Sequence, residues 1–314
     1  MSVMLTVAPV AVAHAQTVHT IADKSLKSST MDASAKQEAA EFVRTASTLL
    51  SSQDPAQVRR GREMYTRTFS RTDVSPAYRT AFAAIALPSL KEVASTGGAL
   101  QGINAIEAIK VFNSPDAISA LVEQSSPTKQ KTPSLRLVAA SGLPAAIRQT
   151  DLNTAQADSI VKGIAGFIDR ETEWMTLAYE IQALAAMSTS PRTAKEGQSA
   201  ARVTQASAIN ALVSKIKKGA AAPETIRAVT RSLSMILSEQ LGSTDAASMS
   251  ALKKSLEPTF ATLKELAKTP PEGEDAAAFV QAARLAETLQ KTQLDSRPTR
   301  PNRPGGARNS PATR

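Results

Sequence analysis

Cysteine is absent from this chain of 314 residues, histidine occurs twice, and only eleven residues are aromatic. Each shortage removes a chemistry. Without Cys there is no disulfide framework, thiolate zinc site, iron–sulfur cluster or cysteine nucleophile. His14 and His19 both precede the first periodic apolar segment. The folded body therefore offers no imidazole for Ser–His–Asp catalysis, zinc ligation or proton shuttling. Glycine is sparse, and no Walker-type phosphate loop, dinucleotide fingerprint or calcium loop is present. No cofactor and no metal site is expected. Long hydrophobic runs are missing as well. The stretch from Met4 to Ala13 spans ten residues, against ~20 for a membrane helix, so no transmembrane segment is expected.

What is abundant is alanine, 56 residues of it, within a hydrophobic fraction of 42%. A chain this long and this apolar can bury ~75% of its unfolded surface, and alanine favours helix over strand.

No charged side chain occurs before Asp23, and the apolar stretch ends Ala13-His14-Ala15-Gln16. Small residues at Ala13 and Ala15 match a signal-peptidase site, although no Lys or Arg precedes the apolar stretch. Residues 1–15 are therefore read as a signal peptide cleaved after Ala15, and the protein as exported, periplasmic or secreted. Residues 16–33 read as a flexible polar leader.

From residue 34 to residue 292 apolar residues recur at steps of three and four. Tyr78, Phe82, Ile85 and Leu90 form one stripe; Leu135, Val138, Gly142 and Ile147 another; Trp174, Leu177, Ile181 and Leu184 a third. Ile226, Val229, Leu233 and Ile236, then Leu252, Leu256, Phe260 and Leu263, continue the rhythm. This is the period of amphipathic helices buried on one face. Asp54-Pro55, Ser75-Pro76, Ser114-Pro115 and Ser190-Pro191 each set a capping oxygen before a proline, the signature of a helix start. Gly97-Gly98, Gly219 and Gly242 read as stops. About a dozen helices follow, and the fold class is all-α.

The helices repeat loosely. Asn104 to Glu123 reads as an alanine-bearing helix, a Ser-Pro-Asp turn and a second helix; Ser134 to Leu143, Trp174 to Leu184 and Ile226 to Leu233 fit the template of its first helix. Over residues 103–147 the pattern resembles HEAT-type (armadillo-like) helical repeats. That resemblance implies an irregular α-solenoid of helical hairpins, each burying its face against its neighbours, and it implies a protein-interaction scaffold. The spacing drifts, so an irregular helical bundle is the alternative.

Two arrangements could hold chemistry. Ser-x-x-Lys occurs four times, at Ser126/Lys129, Ser159/Lys162, Ser214/Lys217 and Ser250/Lys253, without the partner motifs of a penicillin-recognising site. Glu171 and Glu173 flank a carboxylate-only possibility beside Trp174. Residues two apart on a helix face different ways, so Asp169, Glu171 and Glu173 read instead as acids in a first helical turn, and Trp174 as the start of a core stripe. No catalytic residue is expected.

The net charge is +9, of which residues 293–314 carry five Arg against one Asp. This end has no apolar periodicity and is expected to be a disordered Arg/Pro-rich tail. Arg297, Arg300 and Arg303 recur every third residue, so in a polyproline II helix they would line one edge, ~9 Å apart. Such an edge suits an anionic envelope polymer or lipid headgroups. The remaining charge is weak for the body's size, and aromatics sit at core spacing, which argues against nucleic acid. The sequence thus supports an exported, non-catalytic scaffold or adaptor with unidentified protein partners. An envelope-binding module acting through the Arg-Pro tail is the alternative, and a carboxylate-only enzyme a more distant one.

Overall fold

The structure, a computed structural model, describes residues 20–241, 245–271 and 275–292. Thirteen α-helices account for most of these residues. They are α1 (Asp23–Lys27), α2 (Ala33–Leu50), α3 (Pro55–Phe69), α4 (Pro76–Thr96), α5 (Ala99–Lys110), α6 (Pro115–Ser125) and α7 (Pro133–Gln149). Then follow α8 (Thr154–Ile168), α9 (Trp174–Thr189), α10 (Lys195–Lys217), α11 (Ile226–Met235), α12 (Ala246–Leu266) and α13 (Ala276–Lys291). A π-helical stretch (Ile236–Gln240) extends α11. Among the described residues β-pairing is limited to one isolated bridge, Leu152 with Thr193.

The start signals act locally. Asp54, Ser75 and Ser114 each accept a hydrogen bond from a backbone N–H in the first turn, of Ala56, Tyr78 and Ala117 respectively, with proline at the first helical position. Asn153 and Gln156 form a reciprocal capping box at α8. Gly97 ends α4 and Gly98 precedes α5, while Gly219 takes φ +66° just after α10. Gly242 lies outside the described residues.

Helices pack chiefly along two files. The even-numbered helices α2 to α12 form one layer, each against the next, and α3 to α13 form the other. Layers are joined by close pairs such as α2 with α3, α4 with α5, and α6 with α7. This is an irregular α-solenoid, in which each repeat is stabilised by its neighbours. The even helices begin 39 to 51 residues apart. All four segments that fit one template, at Asn104, Ser134, Trp174 and Ile226, fall on α5, α7, α9 and α11, which stack consecutively in the odd layer. The segment Asn104–Glu123, read as one hairpin, instead joins two: α5 pairs more closely with α4, and α6 with α7.

Alanine sets how close the helices come. Ala39, Ala46, Ala83, Ala86, Ala105 and Ala139 have no exposed surface. At Gly61 even a methyl would be too large, since a Cβ there would meet the Ala46 carbonyl oxygen at 2.8 Å and the Leu50 nitrogen at 2.9 Å. The N-terminal hairpins are filled differently. Phe42, Tyr65, Phe69, Tyr78, Phe82 and Phe112 make one cluster of edge-to-face, tilted and stacked rings with centroids 4.5–6.5 Å apart.

Two expectations need correction. Residues 20–33 of the leader belong to the body: Ile21 and Leu26 are buried, the Ala22 N–H and Ser25 hydroxyl donate to the Glu38 carboxylate, and the Ser75 N–H donates to the Leu26 carbonyl. Two buried apolar residues suffice to dock a short polar arm. Ser190-Pro191 is a turn and not a helix start: the Ser190 hydroxyl accepts from the Arg192 N–H, and α10 begins only at Lys195. The backbone of 192–194 is occupied there by bonds to Leu152. Val138, half-buried, packs against the core at the rim of α7, beside Leu135, Ala139 and Leu143 on its packed side. Residues 1–15, with Ala13 and Ala15, and residues 293–314, with Arg297, Arg300 and Arg303, lie outside the described residues. No helix among the described residues is long and apolar enough to cross a membrane.

Candidate protein-binding face

Of the eleven aromatic residues, nine are buried; Trp174 and Tyr179 are half-exposed, and both sit on α9. The core expectation for Trp174 is thus corrected. The stripe begins at Leu177, and the indole lies at the boundary, where α9 meets solvent beside α11.

Each ring is covered by a guanidinium from α11. The Arg227 guanidinium carbon stands 5.6 Å from the Trp174 ring centroid, and that of Arg231 4.7 Å from the Tyr179 ring. The pairs are five residues apart on α9 and four on α11, about one helical turn each. Arg227 also donates to Asp275 at the start of α13, 2.5 Å away, and Arg231 donates to Gln182 at 3.4 Å. Each arginine is therefore held at two points, over a ring and by a polar partner, which reduces the entropy lost when a ligand settles on it. Met175, 43% exposed, adjoins Trp174 in sequence. Trp, Tyr, Arg and Met are the side chains most enriched where proteins meet.

Behind this face lies a buried polar cluster. Arg136 of α7 makes a two-pronged pair with Glu171, Nε to Oε2 at 2.6 Å and an η-nitrogen to Oε1 at 3.0 Å. The other η-nitrogen donates to the carbonyls of Gln130 and Lys131. Glu171 Oε1 also accepts the N–H groups of Thr172 and Glu173. Its carboxylate therefore braces the loop into α9 from outside the helix, and Asp169, which caps the end of α8, pairs with Lys215. Neither acid stands in the first turn of α9, as the sequence suggested. Glu171 is buried and Glu173 exposed, so the two do not converge on one substrate position.

Glu180, two turns into α9, is fully buried, and both its carboxyl oxygens lack a hydrogen-bond partner among the described residues. Burial first, and then the Glu171 charge, push its pKa well above the usual carboxylate range, with Arg136 opposing. Burial thus favours the protonated form of Glu180. The Thr176 hydroxyl, one turn earlier, is likewise buried and unbonded among the described residues.

The serine–lysine pairs do not form dyads. Lys162 pairs with Asp158, Lys217 with Glu265, and Lys253 donates to the carbonyls of Gln290 and Thr292. The Ser126 hydroxyl bonds that of Thr128. The aromatic–arginine face was missed because its signal is spatial: α11 lies about fifty residues downstream of α9.

Comparison with known protein families finds no match, and none is found among curated proteins. Among solved structures the chain is similar to an engineered protein, with 16% identity and a TM-score of 0.40, over 79% of this chain and 97% of that one. It is also similar to a designed armadillo repeat protein, with 15% identity and a TM-score of 0.36, over 84% and 98%. The fold assignment rests on the helix pairing above, independently of these similarities.

Proposed function

We propose that this chain is a non-catalytic helical-repeat scaffold that holds a partner protein against the α9–α11 face, and that it works after export from the cytoplasm. The observation that carries the binding half is the coincidence of two partly exposed aromatics on α9, each under its own arginine from the adjacent α11. The partner segment suited to this face presents apolar side chains to Trp174, Tyr179 and Met175, with hydrogen-bond acceptors reaching Arg231.

Cross-linking in the native host tests it, with wild type compared against the Trp174→Ala/Arg231→Ala double variant. A protein captured by wild type should fall at least tenfold with the variant, because two central anchors of ~1–2 kcal/mol each are lost. Equal capture of every partner would remove this face from the function.

Export rests on the apolar stretch that ends at Ala15. The intact mass of the protein from its own host should correspond to a chain starting at Gln16. A soluble cytosolic form retaining Met1 would refute it.

A further inference from the structure

Along the edge where odd helices hand over to even ones, the turns enclose an open cleft of about 1110 Å³. It is separate from the α9–α11 face. Cations enter it from four successive turns: Arg71 and Arg79 from α3–α4, Lys110 from α5–α6, Arg148 from α7–α8, and Arg192 from α9–α10. Among the described residues Asp151 is the single acidic one that lines it.

The cations are built in, to different degrees. Arg79 is 9% exposed and donates to the carbonyls of Arg71, Val74 and Val111. Those bonds use three of the five N–H groups of a guanidinium, and no carboxylate among the described residues pairs with it. Lys110 crosses α7 over Gly142, where a Cβ would come within 2.6–3.0 Å of its stem, and its amine reaches the Ser141 hydroxyl at 3.0 Å. Glu107 is its acidic partner. Arg71 pairs with Asp23 and Asp73, and Arg192 with Asp151, in solvent-exposed bridges. Arg71 grips Asp73 with two prongs and is held in that network, whereas a single exposed pair such as Arg192–Asp151 is worth ~0.2–1 kcal/mol and exchanges readily for a ligand's carboxylate. Thr150 also borders the cleft. This lining residue is 4% exposed, and its hydroxyl finds no partner among the described residues.

We propose that this cleft binds an extended acidic segment of a partner polypeptide, with one carboxylate to each turn. Spacing favours that ligand. Neighbouring helices in a layer lie ~8–10 Å apart, and an extended chain advances ~3.3 Å per residue, so an acid at every third position meets successive turns. Nucleic acid is disfavoured because the lining aromatic, Phe69, is 1% exposed and gives bases no platform. The chain's own Arg-rich C-terminal segment carries the wrong sign.

The test is fluorescence anisotropy of a labelled (Glu-Gly-Gly)₃ peptide with the full chain at low salt, beside its Gln counterpart. The Glu peptide should bind at least tenfold tighter. Arg148→Ser and Arg192→Ser should each weaken it by about fivefold, the upper range for an exposed charge contact, while far-UV circular dichroism stays unchanged. Asp151→Ser should strengthen binding, since it removes the competing carboxylate and releases Arg192. Trp174→Ala should leave it unaltered, which separates this cleft from the α9–α11 face. Equal binding of the Glu and Gln peptides would overturn the proposal, as would indifference to both arginine substitutions. Displacement by polyphosphate at a lower charge concentration than by unlabelled Glu peptide would overturn the polypeptide assignment.

Discussion

Arg136→Met destabilises the folded chain by about 3–5 kcal/mol, the range found when one partner of a buried ion pair is removed. The magnitude comes from what stays behind. Glu171 has a fully buried side chain, and without the guanidinium its charge is offset only by the N–H groups of Thr172 and Glu173. The carbonyls of Gln130 and Lys131 lose their donor as well. Adding Glu171→Gln to Arg136→Met should recover a large part of the loss: the amide oxygen still accepts from the loop, and no buried charge remains. Urea melts of the two single variants and the double variant form a cycle that isolates the pair. If the double variant is no more stable than Arg136→Met alone, the loss is one of packing and not of charge.

Glu180→Leu is expected to act in the opposite direction and stabilise by about 2 kcal/mol at pH 7, since a buried polar group without a partner is disfavoured by ~1–3 kcal/mol. In a body of this size that is a rise in Tm of about 4–8 °C. The pH dependence gives the sharper test. In the unfolded chain the carboxyl ionises above its ordinary value of 4.5, whereas in the folded chain the value is raised well above that. The folded state therefore holds the extra proton. Stability is complete below about pH 4.5 and falls as pH rises towards the raised folded value, by ~1.4 kcal/mol per unit. Glu180→Gln has no proton to lose, so its stability relative to wild type should improve as pH rises above about 4.5 and level off at the raised folded value. Parallel curves for the two proteins would show that Glu180 is not buried in the protonated form.

Much of this fold could be read from local chemistry. A capping oxygen beside a proline at Asp54, Ser75 and Ser114 decides a helix start within four residues, and all three act as expected. The apolar rhythm also carries through Pro88, Pro144 and Pro258, which stand inside helices, since packing along a whole face outweighs one missing backbone bond. The failures are non-local. The spacing of Trp174, Leu177 and Ile181 is the same whether the first member is core or rim, and the decision belongs to Arg227, fifty-three residues away. Glu171 looks like a first-turn acid until Arg136 arrives from α7. Ser190 has the same dipeptide as Ser75, but its turn is already bonded to Leu152. The candidate face and the cationic cleft are legible only once the layers are known, because each is assembled from residues one repeat apart.

The uneven placement of rings divides the optical signals of the molecule. Six coupled rings lie under α2 to α5 and the turn that follows, so near-ultraviolet dichroism reports mainly on the N-terminal hairpins. The sole indole stands on α9, and its emission reports on the far half of the array. In a solenoid stabilised by nearest neighbours these halves need not melt together. Coincident transitions in the two signals would mean that the interfaces between hairpins are strong enough to make thirteen helices a single cooperative unit; separate transitions would give the stability of each half from one sample.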